Sequence, residues 1–134
     1  MKPKIEHIGI AVKNLKSTIK IFETIFNTKA SSIEHVESEK IKTVFLKVGE
    51  SKIELLEDLK KDGVINNFIA KKGEGIHHLA IEVNDILAEI DRLKEKGFSI
   101  INPNPSEGAN GKLISFLHPK ETGGVLIELC QKKK

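Results

Sequence analysis

Apolar and polar residues alternate in "KIEHIGIAV", a run rich in β-branched side chains, and this predicts a strand near the start of the chain. The period then changes. In "NLKSTIKIFETIF", Leu15, Ile19, Phe22 and Phe26 recur at helical spacing, and Asn14 ahead of them is a candidate N-cap. Three strand-like runs follow, "SSIEHV", "IKTVFLKV" and "KIELLE", with Gly49 at the hairpin between the last two. Residues 62–73, "DGVINNFIAKKG", read as a short helix and linker. Beyond them "GIHHLAIEV" reads as a strand, and "NDILAEIDRLKEKG" as an amphipathic helix ending at Gly97. "FSII" reads as a short strand and "NPNPSEGANG" as a loop dense in Pro, Gly and Asn. "KLISFLHP" and "GGVLIELCQ" are the closing strands.

Both halves therefore read β-α-β-β-β. "EHIGIAVKNL" aligns with "HHLAIEVNDI", which sets His7 on His78, and "SKIELLE" aligns with "GVLIELC", which sets Glu54 on Glu128. The two offsets, 71 and 74 residues, agree to within one small insertion, and a duplicated supersecondary unit explains them economically. The expectation is an α+β fold of two tandem βαβββ modules. Module 1 covers about residues 1–60, a linker about 61–74 and module 2 about 75–134, all within one domain spanning 1–134.

Composition narrows the partners. With 39% hydrophobic and 31% charged residues the chain has the make-up of a soluble globular protein. No apolar run approaches a membrane span, and "MKPKIEHIGIAV" has no signal-peptide core with a small-residue cleavage site, so no membrane is expected as a partner. The single cysteine, Cys130, excludes an intrachain disulfide framework and fits a reducing, cytoplasmic setting. Its place in "VLIELC" suits a small buried residue better than a nucleophile. The formal charge of +3 is mild, and the six Phe are joined by no Tyr or Trp, so nucleic acid is not expected either.

The candidate chemistry comes from the repeat. His77 and His78 are neighbours on one strand and must point to opposite faces. Only His78 has a counterpart, so His77 reads as scaffold. Each module then offers one histidine on its first strand and one glutamate on its last. A glutamate inside an otherwise apolar strand needs a cation, a donor or an exposed edge. If the modules pair about a pseudo-twofold axis, His7, Glu54, His78 and Glu128 converge on one site. Two imidazoles and two carboxylates suit Zn²⁺, Co²⁺, Mn²⁺, Ni²⁺ or Fe²⁺. His35 reads as a surface residue, and His118 as either a substrate contact or part of a turn.

The segments "IEHIGIAVKNL", "KIELLE", "GEGIHHLAIEVNDI", "SEGANGKLISFLHPK" and "GGVLIELCQ" together resemble the vicinal oxygen chelate superfamily, and within it the methylmalonyl-CoA epimerases. The resemblance runs from about Ile5 to Gln131. It implies an eight-stranded open, cleft-lining sheet with helices outside, and a divalent metal, Co²⁺ favoured, on His7, Glu54, His78 and Glu128. It implies an isomerase acting on an acyl-CoA through a metal-stabilised enolate, with a homodimer expected. Glu128 would double as the acid–base group, with Glu54 the weaker candidate opposite. Lys112, His118 and Lys120 would be available to the substrate's anionic groups. Thr43 stands where some epimerases carry a glutamate, which leaves the second acid–base group to Glu37 or Glu39 in a shifted register, or to no residue. The rival activities are a glyoxalase I-type lyase and a metal-free binding module of the bleomycin-resistance type.

Overall fold

The computed structural model describes residues 3–133. Among the described residues, eight strands and three α-helices confirm the α+β expectation. They divide between two compact units, His7–His77 and a second made of residues 78–133 with 3–6. The cuts fall within the first strand of each module.

The first unit contains most of β1 (Ile5–Ala11), then α1 (Leu15–Phe26), β2 (Glu34–Val36), β3 (Ile41–Val48), β4 (Ser51–Asp58) and α2 (Val64–Lys72). Its strands hydrogen-bond in the order β2-β3-β4-β1. β1 lies parallel to β4, and the other neighbours are antiparallel. Helix α1 starts where the sequence indicates: the Asn14 side chain accepts from the Ser17 amide at 3.0 Å, a cap worth about 1 kcal/mol. The Leu15 amide is satisfied by Glu57 Oε1 of β4 at 2.6 Å. Val12, Leu15, Val44, Leu46 and Leu55 form the core beneath the helix.

The second unit repeats the plan with β5 (Gly75–Glu82), α3 (Ile86–Glu95), β6 (Ser106–Glu107), β7 (Leu113–Phe116) and β8 (Ile127–Gln131). Here β5 lies parallel to β8, and β8, β7 and β6 follow antiparallel. The Lys4 carbonyl, just before β1, accepts from the Glu82 amide of β5 at 3.0 Å. Asp85 caps α3 as Asn14 caps α1, and Gln131 Oε1 accepts from the Ile86 amide as Glu57 does from Leu15. The core of Val83, Ile86, Ile90, Leu117 and Leu129 matches the first. Val12, Leu15 and Leu46 fall on Val83, Ile86 and Leu117 at the offset of 71, and Leu55 falls on Leu129 at 74.

One strand lies away from its expected place. "FSII" contributes only an isolated bridge, Ile100 to Leu117, and β6 forms instead at Ser106–Glu107, inside the segment expected to be loop. The reason is Asn102. Its side chain accepts from the Phe116 amide at 2.7 Å and donates to the Ile114 carbonyl at 3.1 Å, so a side-chain amide takes a strand's place beside β7. Pro103 and Pro105, which have no amide hydrogen, follow it, and main-chain pairing resumes only past them.

Candidate metal centre

In each unit the first and last strands of the module are parallel neighbours, and this brings a histidine beside a glutamate. In the first unit Gly9 of β1 lies opposite Glu54 of β4, so His7, two residues earlier, shares the face of Glu54. His7 Nε2 lies 3.2 Å from Glu54 Oε1, with both side chains buried. Phe45, directly across β3 from Glu54, sets its ring edge-on to the His7 imidazole, with centroids 5.5 Å apart. The buried Thr43 hydroxyl reaches Glu54 Oε2 and the Leu55 carbonyl, each at 2.9 Å.

The second unit builds the same arrangement. Ala80 of β5 lies opposite Glu128 of β8, and His78 Nε2 lies 3.5 Å from Glu128 Oε1. Phe116, across β7 from Glu128, stands edge-on to His78 with centroids 6.2 Å apart. These four side chains are among the few buried polar groups of the described residues. The position that matches Thr43 holds Ile114.

The pairs fit a divalent ion by distance as well as by chemistry. Two ligands bound about 2.1 Å from one ion stand about 3.0 Å apart at a right angle and about 3.4 Å at the tetrahedral angle. The two His–Glu separations, 3.2 and 3.5 Å, are coordination-edge lengths. Buried carboxylates are costly unless a cation or a hydrogen-bond donor meets them, and a divalent ion would supply the first.

The other candidate residues take separate places. His77 packs edge-on against Phe68 of α2 with centroids 4.9 Å apart, a scaffolding contact on the opposite face of β5 from His78. Lys112 is buried, and its Nζ lies 2.9 Å from Glu6 Oε1. His118 Nδ1 accepts from the Lys120 amide at 3.3 Å and so caps the turn Pro119–Glu121; Lys120 itself is exposed. Cys130 is buried in β8, and His35 is exposed on β2. Glu37 and Glu39 lie in the turn between β2 and β3, where Glu37 pairs with Lys40 at 3.5 Å. Since β3 pairs with β4 without a slip in register, Thr43 and neither glutamate stands beside Glu54. Phe45 and Phe116 escape a search for ionisable groups, yet they lie 71 residues apart, the offset of the two histidines.

Residues 6–116 match the family model of the Glyoxalase/Bleomycin resistance protein/Dioxygenase superfamily. The chain belongs to that superfamily. Among fellow members of this glyoxalase-like group, it is 37% identical over 130 residues to the mitochondrial methylmalonyl-CoA epimerase of Dictyostelium discoideum, with 96% of this chain and 78% of that protein covered. It is 35% identical to the ethylmalonyl-CoA/methylmalonyl-CoA epimerase of Cereibacter sphaeroides, covering 96% of this chain and 97% of that protein. A solved variant of the Streptomyces coelicolor methylmalonyl-CoA epimerase, in complex with 2-nitronate-propionyl-CoA, superposes with a TM-score of 0.91 at 32% identity. That match covers 96% of this chain and 94% of the other. No helix among the described residues is long and apolar enough to cross a membrane.

Proposed function

We propose that this chain is a metal-dependent epimerase that interconverts (R)- and (S)-methylmalonyl-CoA, and that His7, Glu54, His78 and Glu128 together hold its divalent ion. The observation that carries the reading is the buried His–Glu pair, present at matching register in both units. Relatives named as epimerases over nearly the full chain support the substrate class. The ligand of the Streptomyces coelicolor protein supports the chemistry, because a nitronate has the planar, anionic form of an enolate. The same reading places the protein in the cytoplasm as a homodimer.

The reacting carbon lies between a thioester and a carboxylate, and its proton is lost only if the enolate is stabilised. A bound divalent ion supplies that stabilisation as a Lewis acid, worth several kcal/mol, with Co²⁺ the first choice to test. His7 and His78 act as neutral donors, held edge-on by Phe45 and Phe116. Glu54 and Glu128 supply negative charge. Glu128 would take the α-proton on a carboxylate oxygen while the C–H electron pair passes into the enolate; water on the opposite face would then supply the new proton, inverting the centre, and Glu128 would release its own proton to solvent.

The test is proton exchange at the α-carbon of methylmalonyl-CoA in D₂O. Deuterium incorporation that needs Co²⁺ and stops with a chelator is the expected result. Rapid turnover of methylglyoxal with glutathione, with none of methylmalonyl-CoA, would replace this reading with the glyoxalase I-type lyase. Exchange that survives both metal removal and His78→Ala would overturn the metal centre.

A further inference from the structure

We infer that Thr43 is a positioning residue that holds Glu54 Oε2 and so keeps Glu54 Oε1 on the His7 side as the oxygen offered to the metal. This inference rests on the metal-centre reading above. The geometry starts from the hydroxyl. Thr43 Oγ1 lies 2.9 Å from Glu54 Oε2 and 2.9 Å from the Leu55 carbonyl. A carbonyl and an ionised carboxylate only accept, so the threonine's single hydroxyl proton is shared between the two in a three-centre bond. Its contact to the main chain of β4 ties the hydroxyl to the strand that carries Glu54, and the side chain is wholly buried.

One carboxylate oxygen is therefore taken and the other directed. Glu54 Oε1 remains on the His7 side, 3.2 Å from Nε2. Binding an ion through both oxygens, or swinging away to carry a proton, would require Oε2 to leave Thr43. The second unit has no equivalent clamp from this position, since Ile114 offers no hydroxyl at the matching place in β7. The glutamate absent from position 43 is thus replaced by a residue that moves no proton and orders one that binds metal. Partners that orient ligands in this way commonly contribute 10–100-fold to metal affinity.

The experiment titrates the metal-free protein with Co²⁺, read by calorimetry and by the visible absorption of the bound ion. Thr43→Val, nearly isosteric but without a hydroxyl, should weaken Co²⁺ binding about tenfold or more and alter the spectrum. Thr43→Ser should stay within about threefold of the parent, because it keeps the donor. In a Glu54→Ala background, Thr43→Val should change affinity less than about twofold, since the clamp has nothing left to hold. A general packing defect would lower affinity in both backgrounds, and that result overturns the clamp. So does parent-like Co²⁺ binding by Thr43→Val, which would leave the metal centre standing. A parent protein that binds no Co²⁺ overturns the metal centre and the clamp together. If the valine variant does not fold, Thr43→Ala takes its place in the same cycle.

Discussion

The two modules are alike in their helix caps, in most core positions and in their buried His–Glu pairs, and they differ beside one carboxylate. Caps, core positions, imidazoles and edge-on phenylalanines recur at fixed offsets. Thr43 and Ile114 break the pattern, one giving a hydroxyl to Glu54 and the other a hydrocarbon beside β8. The duplicated plan gives each unit one buried carboxylate, and the difference in what surrounds Glu54 is how one of them is set apart.

The largest test of that difference is Glu128→Gln against Glu54→Gln. Removing the proton carrier should cost about 10³-fold in α-proton exchange, whereas the amide at position 54 retains an oxygen ligand and should cost about tenfold. Equal losses would make the carboxylates interchangeable. Next comes the buried Lys112–Glu6 pair of the second unit. Lys112→Met leaves a buried carboxylate without that cation and should destabilise by about 3 kcal/mol, roughly 10 °C in Tm. The exposed Lys40–Glu37 pair is the control, and Lys40→Met should cost about 0.5 kcal/mol or less. The smallest effect sharpens the likeness: Asn14→Ala and Asp85→Ala should each cost about 1 kcal/mol by thermal or urea unfolding. A much greater loss at one cap would show that one helix depends on it more heavily.

Duplication made the modules legible, because the first strand, the helix and the last two strands are indicated in each half. The four proposed ligands were legible for the same reason: residues such as His77 and His118 have no partner at the offset. The shift of β6 was not, because hydrophobic patterning sees main-chain strands and cannot see the Asn102 amide standing in for one. Lys112 reads as available to a substrate's anionic group, whereas the carboxylate it meets in the fold lies 106 positions away. The Thr43–Glu54 bond was hidden in another way. Threonine is ordinary in a strand, and only the register of β3 on β4 reveals which acceptor its hydroxyl meets.

The helix starts carry a consequence for anionic ligands. First-turn amides of α1, α2 and α3 already bond side-chain oxygens of Glu57, Asp58 and Gln131 respectively. A phosphate arriving at these helices would find amides already engaged, two of the three by a carboxylate. An anionic ligand held instead by exposed lysines such as Lys120 would be held loosely and by charge. Affinity for such a ligand should decline as ionic strength rises.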